Sequence, residues 1–293
     1  MSAHAEPAPP PRRRRRRKRT LQRIGLNALG LFVFVVMTFP VYWMVSTSFK
    51  QGGEILSFTP QFIPTNPTLD NFRDAINRDL FWSGVRNSLI VVLAVVVVSV
   101  VLAFLAALAL AKFRFHGRTA FVVVVFGVQM VPLAALVIPL YITFSAVHQV
   151  DKLSGVVIAY VAVVLPFCVW TLRGFIGGIP KELEEAAMVD GSTRLGAFVR
   201  ILLPLVGPGL VATSIFAFIQ AWNEYIIAYV MLSSADKQTI TIWLANFITG
   251  TTRGVDWGTL MAASTLTALP VVIFFVLVHR RIAFGLTAGA VKQ

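Results

Sequence analysis

Cysteine and charged residues are both scarce in this sequence, and each shortage excludes a class of protein. The single cysteine, Cys168, lies within an apolar run, which excludes a disulfide framework and a cysteine-based metal site. Charged residues are 13% of the 293 residues and hydrophobic residues are 57%, against about 25% and about 45–50% in soluble domains. So few polar groups cannot cover the surface of an ordinary soluble enzyme.

Sequence signatures of catalysis are missing as well. No Gly-Lys dipeptide occurs, so the phosphate-binding loop of many ATPases is absent. There is no His-Glu-x-x-His pair and no evident Ser, His and Asp constellation. The histidines are scattered at tails and at the ends of apolar stretches: His4, His116, His148 and His279. We therefore expect no enzyme activity, no metal and no cofactor.

The apolar residues are concentrated in six stretches, each long enough to supply the about 20 residues of a membrane-spanning helix. They are 24–46, 88–111, 119–147, 155–173, 206–232 and 258–278. Valine-rich runs within them resemble strands, but their length and lack of alternation favour helices. The first stretch is long for a signal-peptide core and no cleavage site follows it, so we interpret it as a retained helix. The predicted fold class is an all-α membrane protein with six transmembrane helices.

The distribution of charge predicts how these helices are oriented. The sequence contains 26 Lys and Arg against 13 Asp and Glu, a net charge of +13. With a cytoplasmic N-terminus, the cytoplasmic segments carry +14, the external segments carry 0, and the remaining acid, Glu224, lies within a span. Basic residues favour the cytoplasmic side of membrane proteins. We therefore expect a multi-pass protein of the cell membrane with both termini in the cytoplasm.

The chain divides into a tail, a first helix, an external loop and a core. Residues 1–20 form a proline- and arginine-rich tail that is expected to be disordered and held by anionic membrane lipid. The tail lacks the aromatic residues or folded platform of a nucleic-acid site, so no nucleic-acid partner is expected. A first transmembrane helix at 21–50 and an external loop at 51–85 follow. The core, 86–280, holds five transmembrane helices, and 281–293 form a cytoplasmic tail.

Two external segments have features beyond a simple connection. The loop at 51–85 predicts a short amphipathic helix at the outer interface, because four apolar residues recur at helical spacing. These are Leu69, Phe72, Ile76 and Leu80. The helix serves either packing and anchoring or the docking of an external partner. The segment 233–257 forms either a surface lid or a partly re-entrant turn.

The loop at 176–205 has capping signals that predict two cytoplasmic helices. Pro180 suits the first turn of a helix. Three glutamates suit the positive end of that helix: Glu182, Glu184 and Glu185. Gly191 suits the C′ position, where a left-handed residue ends a helix, and Ser192 can cap a second helix that runs to Pro204. The alternative is a plain linker between two spans.

The residues of this predicted hairpin resemble the EAA motif of permease subunits in binding-protein-dependent ABC importers. The motif positions present are Glu185, Ala186, Ala187, Gly191, Ile201, Leu203 and Pro204. Further segments resemble the carbohydrate branch of that family, and within it the subunits related to the smaller permease of the maltose importer. These segments are 66–72, 138–141, 222–225 and 285–292. The arginine-rich tail is not part of the family pattern.

The resemblance implies a type I ABC importer permease fold with a coupling hairpin between the fourth and fifth transmembrane helices. It also implies half of a pathway for a sugar or oligosaccharide and three protein partners. These are a second, different permease subunit, a dimeric ATP-binding subunit and an extracytoplasmic solute-binding protein. By resemblance, the residues that contact the ATPase are Glu185, Ala186, Ala187, Asp190 and Gly191. Further candidates lie in the C-terminal tail: Gly285, Gly289 and Lys292.

Polar groups in the fifth span are candidates for lining the pathway. Glu224 is the one acid well inside a span, where a charged residue costs about 2.5 kcal/mol or more to insert. Glu224 is either a structural or assembly residue or a pathway-lining residue, and Gln220 and Asn223 are further pathway candidates. The alternative function is a stand-alone secondary transporter, which predicts more intramembrane acids or an internal repeat.

Overall fold

The computed structural model describes the backbone of residues 12–249 and 255–287, and the side chains of residues 23–247 and 255–278. All regular structure in these ranges is helical. The α-helices are α1 Arg12–Ser48, α2 Gly52–Ile55, α3 Asp70–Asn77, α4 Phe81–Lys112, α5 Arg118–Gln129, α6 Leu133–Ala146, α7 Leu153–Gly177, α8 Glu182–Val189, α9 Arg194–Ala197, α10 Leu203–Asn223, α11 Ile226–Met231, α12 Ile240–Thr249 and α13 Trp257–Thr287. A π-helical segment, Phe198–Leu202, joins α9 to α10, and a 3₁₀ turn covers Ala235–Lys237.

Five of the described helical segments are long and apolar enough to cross a membrane. They are Arg23–Ser48, Phe81–Lys112, Leu153–Gly177, Arg194–Asn223 and Trp257–Val278. A sixth results if α5 and α6 count as one span, since together they meet the same criterion but bend by 102° at their junction. The predicted all-helical membrane class is confirmed, with five or six spans according to how this bent pair is counted.

The third predicted span, 119–147, is broken near its middle. α5 ends where the amides of Met130 and Val131 donate to carbonyls three residues back, at 3.1 and 3.2 Å. Pro132 then takes a ψ of 130° and has no N–H with which to continue a helix, so α6 starts on a new axis. Three further prolines lie inside helices: Pro139 in α6, Pro166 in α7 and Pro270 in α13.

The prediction of one continuous fifth span, 206–232, is wrong. α10 ends at Asn223, the backbone at Glu224 is extended with a ψ of 130°, and α11 begins at Ile226. Both pieces are apolar, so average hydropathy over the segment does not reveal the break. Its cause is the hydrogen bonding of Glu224, described below.

The most extensive helix–helix interface joins α4 and α7, with α10 packed against both and α13 packed against α10. On α4, Ser99, Ala103 and Ala107 are fully buried at four-residue spacing. Small side chains of this kind let membrane helices approach closely. α10 approaches α7 closely at Gly209, where an added Cβ would lie 2.6 Å from the ring of Phe175. The buried core therefore depends on shape as well as on apolar character.

Three helices at the periphery expose apolar side chains. α5 and α6, both described in full, contain no buried residue. The candidate span in α1 is 0% buried. α1 contacts α13, but within its described side chains the shielded residues are confined to its C-terminal end, 43–48. Apolar surface of this extent exceeds what a soluble monomer leaves in water. These faces therefore require hydrocarbon or another membrane protein around them.

Asp151 joins two connections at one end of the bundle. Its carboxylate accepts hydrogen bonds from the amides of Ser233 (3.1 Å) and Ser234 (2.9 Å), from the Ser234 hydroxyl (2.5 Å) and from Lys237 Nζ (2.7 Å). Lys237 and Ser234 hold the pKa of Asp151 well below its usual range, and Asp151 raises the pKa of Lys237. The connection between α6 and α7 is thereby fixed to the connection between α11 and α12.

Asp151→Ala is expected to lower the stability of the purified protein by about 2 kcal/mol, because hydrogen bonds to a charged group contribute about 1.5–3 kcal/mol and solvent screens this part-exposed site. The folded-state pKa of Asp151 is depressed. Its contribution is therefore present above the unfolded-state pKa of about 3.9 and is lost as the pH falls through the folded-state pKa. Thermal unfolding of wild type and variant across acidic pH measures both effects.

Asp236→Ala is the matched control, since Asp236 is exposed in the same connection and only its backbone carbonyl is hydrogen-bonded. This control should unfold at the wild-type temperature. Equal destabilisation by the two substitutions would contradict a specific role for Asp151.

Candidate functional site

The first arm of the candidate site, α8, begins and ends as electrostatics and backbone geometry require. Three glutamates occupy its first turn, where the helix dipole is positive. At its end, the amide of Ser192 donates to the carbonyl of Ala187 (2.9 Å) and the amide of Gly191 to that of Met188 (3.1 Å). Gly191 has a φ of +91°, which completes a Schellman turn. The predicted end of this helix at Gly191 is confirmed.

The second arm differs from the prediction in two ways. Its cap is Thr193, whose side-chain oxygen accepts from the amide of Gly196 at 3.1 Å, and the prediction of Ser192 is wrong because Ser192 completes the preceding turn. The arm also continues past Pro204. The π-helical segment leads directly into α10, and Pro204 falls in the first turn of that helix, where its missing N–H is tolerated. The second arm of the hairpin and a membrane helix thus form one continuous helical run, Arg194–Asn223.

The hairpin comprises residues 182–197, and the turn between its two arms is exposed. Glu185, Ala186 and Asp190 are exposed and Ala187 is half-buried. Two large apolar side chains on either side of the turn are exposed as well, Val189 to 87% and Leu195 to 71%. An apolar surface beside small and acidic residues is typical of a protein–protein contact. The hairpin can therefore receive a partner without any rearrangement of the described residues.

One ion pair fixes the base of the hairpin to the membrane bundle. Lys112, the last residue of α4, donates to the carboxylate of Glu184 in α8, and both side chains are largely shielded from solvent. Lys112 belongs to no recognisable sequence motif. The two residues are 72 positions apart, and no local pattern relates them. The ion pair keeps the N-terminal end of α8 at the end of α4.

Glu224 lies at the break between α10 and α11 and satisfies the free backbone groups there. Its carboxylate oxygens accept from the amides of Ile227 (2.8 Å) and Ala228 (3.2 Å). Its carbonyl accepts from the hydroxyls of Tyr160 in α7 (3.3 Å) and Thr241 in α12 (3.0 Å). The carboxylate of Glu224, one residue before the N-cap Tyr225, therefore caps the first turn of α11. Its carbonyl connects the same point to α7 and α12.

The other two pathway candidates lie in different cavities. Gln220 lines a cavity of about 410 Å³ at the junction of α5 and α6, together with Gln129. Asn223 lines a second cavity of about 370 Å³ between α10, α12 and α13, with Thr241, Ser264 and Thr267 among its neighbours. The structure therefore does not bring Gln220, Asn223 and the Glu224 carboxylate to one binding site.

The C-terminal candidates fall at the limit of what the structure describes. Gly285 lies in the last turns of α13, whereas Gly289 and Lys292 lie outside the described residues.

Comparison with known proteins decides the family. Residues 99–287 match the family described as "Binding-protein-dependent transport system inner membrane component". The chain belongs to this family. It is therefore a membrane component of a transport system, and the resemblance drawn from its motifs is confirmed.

Curated relatives of this permease chain match it over almost its whole length. It is 45% identical to the diacetylchitobiose uptake system permease protein DasC of Streptomyces coelicolor, over 92% of this chain and 97% of that one. It is 32% identical to the trehalose/maltose transport system permease protein MalG of Thermococcus litoralis, over 93% and 98%. It is 34% identical to the trehalose transport system permease protein SugB of Mycobacterium tuberculosis, over 86% and 92%.

Solved structures share the fold of this permease. A chain of a bacterial ABC transporter involved in the import of the acidic polysaccharide alginate matches with a TM-score of 0.74 at 22% identity, over 90% of this chain and 97% of that one. A chain of a bacterial alginate transporter in complex with an alginate pentasaccharide-bound periplasmic protein matches with a TM-score of 0.63 at 14% identity, over 89% and 94%.

Proposed function

We propose that this chain is one of two permease subunits in an ATP-driven importer and forms half of its transmembrane pathway. α5 and α6 together act as one broken span, so the chain crosses the membrane six times with both termini in the cytoplasm. Two contacts support this topology. Lys112 and Glu184 pair between segments assigned to the cytoplasm, and Asp151 and Lys237 pair between segments assigned to the outside.

The proposed coupling element is the hairpin, and one observation carries this part of the proposal. An exposed turn is continuous with a membrane helix through Arg194–Asn223, so a displacement of the turn is transmitted to the pathway without a flexible joint. The proposed contacts with a dimeric ATP-binding subunit are Glu185, Ala186, Ala187, Asp190 and Gly191. Gly285, Gly289 and Lys292 provide a second contact. A second, different permease chain completes the pathway.

The proposed substrate is an uncharged sugar or oligosaccharide, delivered by an extracytoplasmic solute-binding protein. The names of relatives support the sugar class, since they refer to uptake of diacetylchitobiose and of trehalose or maltose. The cavity at the junction of α5 and α6 supports a substrate without charge. Its described lining has two amides, Gln129 and Gln220, among apolar residues and no charged side chain. Amides hydrogen-bond to hydroxyls, whereas an unpaired carboxylate in such a cavity is costly.

Gentle purification of the tagged chain, followed by mass spectrometry, tests the assembly. An ATP-binding subunit, a second permease and a solute-binding protein are expected to come with it. Uptake by the reconstituted complex is then measured with neutral, uronic-acid and amino-sugar oligosaccharides. A chain that transports alone, without any ATP-binding subunit, would support the stand-alone secondary transporter and overturn the proposal. Preferred uptake of a uronic-acid oligosaccharide would contradict the proposal that the substrate is uncharged.

Gln220→Leu is expected to reduce sugar uptake about tenfold, because the sugar would lose a hydrogen bond of roughly 1 kcal/mol and one of its hydroxyls would be left unpaired. Gln220 faces the cavity, and its side chain has no hydrogen bond within the described part of the chain. Initial uptake rates at several sugar concentrations measure the effect, which should fall on the apparent affinity. Gln51→Leu is the control, because Gln51 is exposed outside the membrane helices. Equal uptake by both variants would remove Gln220 from the pathway.

A further inference from the structure

A second polar cavity lies where three helices end on the side assigned to the cytoplasm. α4 ends at Lys112, α5 begins at Arg118 and α7 ends at Gly177. Between these ends is a cavity of about 480 Å³. It is lined by Ala111, Arg118, Trp170, Arg173, Gly174 and Gly177. It is separate from the cavity that contains Gln220.

The cavity contains two cations that nothing in the described chain neutralises. Arg118 and Arg173 are half-buried, yet neither forms a hydrogen bond or an ion pair through its side chain with any described residue. The guanidinium of Arg173 lies 5.3 Å from the centre of the Trp170 ring. None of the described lining residues is acidic. Arginine binds phosphate oxygens through paired N–H groups, and the positive end of α5 lies beside Arg118.

An apolar cleft adjoins this cavity and shares Trp170 and Arg173 with it. The cleft lies between α4, α5 and α7 and has a free volume of only about 10 Å³, which is too small for an acyl chain. Its other lining residues are Leu110, Phe121, Val122, Val125, Phe126, Pro166 and Val169. Because α5 has no buried residue, the face beside the cleft is open to hydrocarbon. A soluble anion would use the arginines only, whereas an amphiphile would use both the arginines and the exposed apolar face of α5.

We propose that this is a binding site for an anionic phospholipid of the cytoplasmic leaflet. Its phosphate lies between Arg118 and Arg173, and an acyl chain lies along the exposed apolar side chains of α5, among them Val124 and Val128. Basic pockets between membrane helices on the cytoplasmic side commonly bind anionic headgroups. Open space lies beside Gly174 and Gly177, since an added Cβ on either meets no atom within 4 Å. The occupant lies beside the start of the hairpin, which follows Gly177.

Native mass spectrometry of the intact purified complex tests this site, with phosphatidylglycerol or phosphatidylcholine added in detergent. Phosphatidylglycerol is expected to bind and phosphatidylcholine to bind more weakly. Arg118→Gln combined with Arg173→Gln is expected to weaken phosphatidylglycerol binding about 30-fold, about fivefold for each arginine. Arg114→Gln is the matched control, since Arg114 is exposed in the same connection and does not line the cavity. It should bind as wild type does.

Two more variants keep the test independent of folding. Arg118→Lys with Arg173→Lys keeps both charges and should retain most of the binding. Gly174→Leu keeps both arginines but fills the cavity, and should lose the lipid. The proposed site would be contradicted if the double glutamine variant and Arg114→Gln lost phosphatidylglycerol binding equally, or if both retained it. Displacement of phosphatidylglycerol by millimolar inorganic phosphate would show that the arginines bind a soluble anion and would contradict the proposed lipid site.

Discussion

Gly191→Val is expected to abolish uptake while leaving the subunit inserted in the membrane. Gly191 has a φ of +91°, a conformation that β-branched residues adopt only with strain. Valine would therefore open the turn that the amides of Gly191 and Ser192 close. The damage should stay local, because α8 contains no buried residue within the described side chains. We therefore expect the contact with the ATPase to be lost and the membrane bundle to persist.

Three measurements separate these effects for Gly191→Val. Uptake should fall below about a tenth of wild type, the value that roughly 1.4 kcal/mol in one coupling step produces. The amount of subunit in isolated membranes should stay at the wild-type level, and recovery of the ATP-binding subunit should decrease. Gly191→Asn is the matched variant, because asparagine tolerates the left-handed region, and it should restore most of the uptake. Normal transport by Gly191→Val with the ATPase still bound would show that the hairpin is not the coupling element.

Local signals in the sequence predicted the parts of the fold that depend on local physics. The length of apolar stretches set the helical class, and Gly191 marked the end of α8 because few other residues adopt its backbone conformation. The sequence predicted Ser192 as the next cap, but the adjacent Thr193 has the same hydroxyl chemistry. The structure chooses Thr193, since Ser192 already closes the turn. Sequence alone could not choose between neighbours with the same chemistry.

Long-range contacts were beyond the sequence. Lys112 and Glu184 form an ion pair although they are 72 positions apart in the sequence. Asp151 accepts a hydrogen bond from Ser234, which is 83 positions away. Neither pair belongs to a repeating pattern that would have drawn attention to it. The separation of two pathway candidates has a similar cause. Gln220 and Asn223 are three positions apart in the sequence, yet they line different cavities, because α10 presents them to different neighbouring helices.

Glu224 shows what a broken membrane helix requires. Where α10 ends, the first amides of α11 lack carbonyl partners within the helix, and a buried amide left unpaired costs about 1–3 kcal/mol. The carboxylate of Glu224 accepts from two of these amides, those of Ile227 and Ala228. Ile227 is 1% exposed and Ala228 is 0% exposed, so no solvent can replace it. An ionisable residue is tolerated at this position because its carboxylate accepts hydrogen bonds from the amides that the break leaves without partners.

Glu224→Ala is therefore expected to reduce both the stability and the yield of the assembled transporter, with uptake falling in proportion. Two buried amides would lose their acceptors, at about 1–3 kcal/mol each, a substantial share of the about 5–15 kcal/mol that stabilises a folded domain. Glu224→Gln keeps one acceptor oxygen and should recover about half of the loss. Complex yield, thermal unfolding and uptake per assembled complex are measured together. Wild-type stability with impaired uptake per complex would instead make Glu224 a pathway residue, and wild-type values of all three would contradict any role. The stepwise order of alanine, glutamine and glutamate in unfolding temperature is the result that a helix cap predicts and a pathway residue does not.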